Sequence, residues 1–150
     1  MLDTNVLASG IVGLAAGASP PSEVIRRWGR REFDLVLSDH VLDELDRTLR
    51  KPYFTARISP RQLDQVLWTL GHEAEVTPIT VTVFGIATHP EDDLVLAAVA
   101  SAEVDFLVTG DAQLQNLGRF GGSMIVSAGR FLEILDRALD VPADENDATR

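Results

Sequence analysis

Short, nearly continuous apolar segments alternate with helix-like segments along this chain of 150 residues. "FDLVLS", "DFLVTG" and "SMIVS" lack the strict alternation of a strand that has one face in water. Between them lie segments such as "DHVLDELDRTL", whose apolar residues recur at helical spacing. Buried strands joined by helices are typical of a parallel sheet that is covered on both faces. The pattern therefore predicts an α/β fold, a single domain with a doubly wound parallel sheet and helices on both faces.

Local signals predict where several helices begin and end. Ser38 should cap the helix after "FDLVLS", and Ser59 with Gln62 should form a capping box before "LDQVLWTL". Gly118 should end the short helix "AQLQNL". These signals give the helices directions that are compatible with a sheet whose strands all run the same way.

The remaining segments set the limits of the domain. "MLD" is predicted to be a very short first strand, and "ITVTVFGI" alternates like a further strand. We expect the domain to cover residues 1–139 and residues 140–150 to form a disordered C-terminal tail, because that segment has little to bury.

Composition excludes several classes of protein. The chain has no cysteine, which excludes disulfides and thiolate metal sites, and it begins without a basic, apolar leader. No apolar run approaches the ~20 residues that span a bilayer, so a cytoplasmic protein with no membrane partner is expected. The net charge of −10 argues against nucleic-acid binding through bulk charge but permits a local anion-binding surface.

Four acids that are far apart in sequence are predicted to converge at one edge of the sheet. Asp3 ends the first strand, Asp111 follows "DFLVTG", and Asp93 lies in the first turn of the helix "EDDLVLAAVA". Glu44 lies in the second turn of the helix after "FDLVLS", about 9 Å along its axis, close enough for a long side chain to reach back. Ligands bind where parallel strands end, so this edge is the expected site.

The chemistry of four carboxylates favours a divalent cation. Unpaired carboxylates that lie together repel and raise one another's pKa values, and a cation removes that conflict. Oxygen ligands without cysteine favour Mg²⁺ or Mn²⁺, which can activate water and stabilise a phosphoryl group during hydrolysis. Each acid also has a structural explanation: the helix dipole for Asp93, an N-cap for Asp111 and a solvated helix face for Glu44. Asp3 is harder to explain in this way, because an acid that ends a buried strand needs a partner.

Four quoted segments carry a family resemblance. "LDTNVLASG", "LSDHVLDEL", "HPEDDLVLAAVA" and "DFLVTGDAQL" resemble, in this order, the segments of PIN-domain nucleases, and most of all the VapC-like toxin components of toxin–antitoxin systems. The resemblance implies a metal-dependent endoribonuclease that hydrolyses RNA, with a sheet in the order 3-2-1-4-5. It also implies a homodimer and an antitoxin protein that covers the site. The first strand, with two residues before Asp3, is shorter than is usual in that family.

The resemblance also assigns roles to residues of this sequence. Its catalytic and metal-binding acids map onto Asp3, Glu44, Asp93 and Asp111. Supporting roles fall on Thr4, Asn5 and Thr109, with Asn5 expected to orient the acids. Asp92 is expected to shape the charge of the pocket or to assist Asp93, while the start of a helix is sufficient to explain Glu91.

An arginine-rich segment and two rival functions complete the predictions. Arg26, Arg27, Arg30 and Arg31 in "RRWGRR" are possible contacts for RNA phosphates, although a solvated helix face explains them as well. A phosphorelay receiver domain fits poorly, because Lys51 is the only lysine and the first strand offers one acid. The alternative left open is a catalytically weak PIN-like module that binds RNA or a protein partner without cleavage.

Overall fold

The computed structural model describes residues 1–140, which form helices around two short ladders of strands. The helices are α1 (Thr4–Ala16), α2 (Pro20–Gly29), α3 (Asp39–Leu49), α4 (Pro52–Thr55), α5 (Pro60–Glu73), α6 (Pro90–Ala102), α7 (Ala112–Leu117) and α8 (Ala128–Leu139). The strands are β1 (Val36–Ser38), β2 (Glu75–Thr77), β3 (Phe106–Val108), β4 (Arg119–Phe120) and β5 (Ser123–Val126). The tail predicted to be disordered lies outside the described residues, apart from Asp140.

Parallel pairing dominates the strands, as the apolar segments predict. β1 pairs in parallel with β2, and β3 pairs in parallel with β5, while the two-residue β4 runs antiparallel to β5. Leu2 forms a parallel bridge to Val108, so the predicted first strand is reduced to an isolated bridge beside β3. Within residues 1–140 no ladder joins Leu2 to β1, and the full order 3-2-1-4-5 is not shown.

The predicted strand in "ITVTVFGI" is wrong. The strand lies earlier, at Glu75–Thr77, and residues 78–89 follow an irregular path. The backbone N–H groups of Thr80 and Val81 donate to a side chain and not to a neighbouring strand. Both donate to Ser101 Oγ on α6, at 2.9 and 3.0 Å. The alternating apolar side chains also have little to bury against, since Phe84 is 90% exposed.

The predicted helix starts are confirmed where a cap was read from the sequence. Ser38 Oγ accepts a hydrogen bond from the N–H of Val41 at 3.2 Å, which fixes the start of α3 directly after β1. Ser59 and Gln62 form a reciprocal capping box on α5. Gly118 ends α7 with a φ of 68°, a conformation that suits glycine.

Packing holds the helix starts near the acids in place. α6 is buried along most of its length, from Val95 to Val99, as its apolar sequence requires. α1 packs closely on α2 through Gly10, where a Cβ atom would lie 2.7 Å from the carbonyl oxygen of Pro21. No helix within residues 1–140 is long and apolar enough to cross a membrane.

Candidate active site

Asp3 occupies the position at which the chain leaves the sheet and enters α1. Its N–H donates to the carbonyl oxygen of Val108 at 2.9 Å, which fixes the backbone beside the end of β3. Its Oδ1 accepts from the N–H of Thr4 at 2.7 Å, and its Oδ2 accepts from the Thr109 hydroxyl, also at 2.7 Å. The side chain is 7% exposed, so these donors supply most of the polar partners of a nearly buried carboxylate.

Thr109 joins Asp3 to Asp111. Its hydroxyl donates to Asp3 and accepts from the N–H of Asp111 at 3.0 Å, and its side chain is fully buried. Asp111 is the N-cap of α7, where its Oδ1 accepts from the N–H groups of Gln113 and Leu114 at 2.7 and 2.9 Å. The N-cap explanation of Asp111 is therefore confirmed for one oxygen, which leaves Oδ2 as the oxygen available to a ligand.

Thr4 brings Glu44 to the same place. The Thr4 hydroxyl, which is buried at the start of α1, donates to Glu44 Oε2 at 2.7 Å. The second turn of α3 thus reaches the sheet edge, as the length of a glutamate side chain allows. Asn5 is exposed, and within residues 1–140 its side chain makes no hydrogen bond, so its predicted orienting role stays a prediction.

Electrostatic coupling adds Asp92 to these acids. Burial raises the pKa of Asp3, and the charges of Glu44 and Asp92 raise it further, against the hydrogen bonds from Thr109 and Thr4. Partial burial raises the pKa of Asp92, and the charge of Asp111 adds to that effect. We call Asp3, Glu44, Asp92 and Asp111 the acidic network.

The carboxylate of Asp93 binds the backbone of the loop that precedes α6. Its Oδ2 accepts from the N–H of Gly85 at 2.7 Å, and its Oδ1 accepts from those of Ile86 and Ala87 at 3.1 and 2.8 Å. The hydrogen bond from Ala87 lowers the pKa of Asp93 most, and those from Gly85 and Ile86 add to it, against an opposing effect of burial. Asp93 therefore ties the loop before α6 to its first turn.

The structure does not bring Asp93 into the acidic network. Its predicted role as a ligand and that of Asp92 as its helper stay predictions: both oxygens of Asp93 accept backbone hydrogen bonds, while the charge of Asp92 raises the pKa of Asp3. The sequence could not separate them, because Glu91, Asp92 and Asp93 are consecutive in one helical turn and project about 100° apart. The orientation of α6 decides which of the three faces the sheet edge.

The donor chemistry of the acidic network fits a hard divalent cation. All the donors are carboxylate oxygens, and within residues 1–140 none of these acids forms an ion pair with a basic side chain. As the side chains stand, however, the described residues contain no group of three acids or histidines close enough to hold a metal ion. Fewer protein ligands, with waters completing the shell, are the usual arrangement for Mg²⁺.

The arginine-rich segment is largely neutralised by its own neighbours. Arg26, Arg27 and Arg30 lie 3.5, 3.6 and 3.0 Å from the carboxylate of Glu23, and Arg27 also pairs with Asp136 across to α8. Paired guanidinium groups have less charge to offer to a phosphate. The predicted RNA contacts of these residues and of Arg31 stay predictions.

Comparison with known proteins identifies the family. A family model described as a PIN domain matches residues 1–113, which is most of the chain and includes the whole acidic network. Among curated proteins and solved structures, no match to the chain is found. PIN domains have an α/β fold, act on RNA or DNA and typically use divalent metals. The chain therefore belongs to the PIN-domain family, whose members are generally nucleases.

Proposed function

We propose that this protein is an endoribonuclease that hydrolyses RNA phosphodiester bonds with Mg²⁺ or Mn²⁺. The observation that carries the proposal is the acidic network, in which carboxylates from four separate segments interact without a basic partner among the described residues. Repulsion between carboxylates lowers the stability of the fold unless a bound ligand neutralises their charges. A divalent cation is the ligand that does so. Family membership supports the nuclease part of the proposal.

Each residue of the network has a role in the proposed reaction. Asp3, Glu44, Asp92 and Asp111 would hold the cation, with Asp93 as the alternative to Asp92 that the family resemblance suggests. A bound cation of this kind lowers the pKa of water and stabilises negative charge on phosphate. Thr109 orients Asp3 and Asp111 through its hydroxyl, and Thr4 orients Glu44. The protein would thus contribute carboxylates whose orientation is set by two threonine hydroxyls.

The test is cleavage of labelled RNA by the purified full chain with Mg²⁺, with Mn²⁺ and with a chelator. We expect cleavage with either metal and none with the chelator. Asp3→Asn and Asp111→Asn should abolish cleavage while circular dichroism stays unchanged. Asp43→Asn is the matched control, because it removes an exposed acid of α3 next to Glu44. Cleavage that survives both the chelator and Asp3→Asn would contradict the proposal.

A second candidate is a PIN-like module that binds RNA or a protein partner without cutting it. The absence of a preformed group of three acids among residues 1–140 favours this candidate. Calorimetry separates the two candidates, since the nuclease must bind Mg²⁺ or Mn²⁺ through the acidic network. The module is the correct assignment if wild-type protein binds neither ion and cleaves no RNA.

The resemblance also supports a role as the toxin of a toxin–antitoxin pair, acting in the cytoplasm as a homodimer. Exposed apolar side chains of the loop that binds Asp93, such as Phe84 and Ile86, give an antitoxin segment a surface to cover. Expression of the wild type should arrest growth, and Asp3→Asn should not. Co-expression of a small protein encoded by the adjacent gene should relieve the arrest, and failure to find such a protein would leave a solitary nuclease.

A further inference from the structure

A groove of about 480 Å³ opens beside Glu44. One wall is α3 with the residue that precedes α4, and the other is the first turns of α6. The lining side chains are His40, Glu44, Arg47, Thr48, Lys51, Glu91 and Leu94. Because Glu44 is a member of the acidic network, the groove adjoins the candidate active site.

Helical spacing places basic side chains in sequence along this groove. Glu44 and Arg47 are three residues apart on α3, so they lie on one face about 4.5 Å apart along the axis. Lys51 follows just beyond the end of α3, farther from the acids. The positive charges therefore begin one turn away from the acidic network and continue outward.

The positive charges of this groove are not neutralised within the described residues. Neither Arg47 nor Lys51 lies within 4.0 Å of a carboxylate there, and Arg47 donates to the carbonyl oxygen of Asp43 at 3.3 Å. Arg50, on the same helix, is by contrast paired with Asp46 at 2.8 Å and is not among the residues that line the groove. Arg47 and Lys51 therefore line a groove that Glu44 also lines, and their charges are available to an anionic ligand.

We propose that this groove binds the phosphodiester backbone of single-stranded RNA next to the bond that is cut, with Arg47 and Lys51 contacting phosphates. The proposal rests on the proposed function, since it takes the acidic network as the place of cleavage. Guanidinium and ammonium groups are the usual phosphate contacts of a nucleic-acid-binding surface. Glu91 on the opposite wall repels phosphate, so the strand lies against α3 and turns its bases or riboses toward Leu94.

The test is binding of a short fluorescein-labelled oligouridine to full-length protein at several salt concentrations. The Asp3→Asn background prevents cleavage. In that background Arg47→Ala/Lys51→Ala is compared with Arg50→Ala/Arg57→Ala, which removes the same charge from positions outside the groove. We expect the groove variant to bind about tenfold more weakly at low salt. The negative slope of log K against log salt concentration should become less steep by about 0.7 for each lost phosphate contact. The control variant should retain most of its RNA affinity.

The outcomes separate this proposal from the proposed function. If both double variants weaken RNA binding equally, the proposed groove is refuted, because bulk charge would then explain the binding. It is also refuted if the groove variant loses affinity only for an oligodeoxyuridine of the same length. If the wild type cleaves RNA and Arg47→Ala/Lys51→Ala with Asp3 intact cleaves it with an unchanged KM, the groove is refuted while the nuclease stands. If the wild type cleaves nothing but the groove variant in the Asp3→Asn background loses RNA affinity, RNA binding by the groove stands and the nuclease, with cleavage beside the groove, falls.

Discussion

Thr109 offers the sharpest test of how the fold holds its acids. The change Thr109→Val keeps the shape of the side chain but removes a hydroxyl that donates to Asp3 at 2.7 Å and accepts from the N–H of Asp111 at 3.0 Å. A hydrogen bond to a charged group contributes about 1.5 to 3 kcal/mol, and an ordinary one about 1 kcal/mol. Because Thr109 and Asp3 are buried and valine leaves the carboxylate without this donor, the free energy of unfolding should fall by about 2 to 4 kcal/mol.

The matched control is Thr109→Ser, which keeps both hydrogen bonds and loses one methyl group, at about 1 kcal/mol. Urea denaturation followed by circular dichroism measures both variants. For a chain of this length the valine variant should also lose on the order of 10 °C in Tm. With Mg²⁺, RNA cleavage should be nearly lost in the valine variant and largely retained in the serine variant.

The effect of pH on this comparison follows from Asp3. Burial raises its pKa, so the folded chain binds a proton at Asp3 more tightly than the unfolded chain, and the ionised form costs stability above the folded pKa. Removing the Thr109 donor raises that pKa further. The loss of unfolding free energy in Thr109→Val, relative to wild type, should therefore be largest at neutral pH. It should become smaller as pH falls through the pKa of Asp3 in the folded protein. Equal stability of the valine and serine variants at neutral pH would refute this reasoning.

Two further predictions use matched pairs. Asp92→Asn should reduce cleavage at least about a hundredfold without lowering Tm, because it removes one of several carboxylates that repel one another. Asp93→Asn should instead lower Tm, because the amide nitrogen of asparagine would face a loop N–H that now donates to a carboxylate. Cleavage assays with thermal denaturation measure both, and a stable, inactive Asp93→Asn protein would restore Asp93 as the ligand. Gly10→Ala should cost about 1 to 2 kcal/mol, because its Cβ would meet the carbonyl of Pro21 at 2.7 Å. Gly71→Ala, with no heavy atom within 4 Å, should gain up to about 1 kcal/mol in the same urea experiment, and a stable Gly10→Ala protein would contradict the close helix contact.

Local sequence signals predicted the parts of this fold that local physics controls. The cap at Ser38, the capping box at Ser59 and the end of α7 at Gly118 are correct, because each depends on hydrogen bonds or dihedral angles within a few residues. The strand predicted in "ITVTVFGI" is wrong, because alternation describes a surface with two faces and a strand also needs a neighbour. That neighbour is a property of the whole fold.

Sequence alone predicted that Asp3 ends a strand, that Asp111 begins a helix and that Glu44, in the second turn of its helix, can reach the same edge of the sheet. The surroundings of the acids at the α6 start depend on packing, since the rotation of this helix turns Asp93 to the amides of the 85–87 loop and leaves the charge of Asp92 coupled to that of Asp3. Packing also determines which basic side chains form salt bridges. Salt bridges in space neutralise much of the arginine-rich segment, while two basic residues of α3 and its end line a groove beside Glu44. Spacing along a chain gives the direction of a side chain relative to its own helix, and packing alone gives the direction of that helix relative to the rest of the protein.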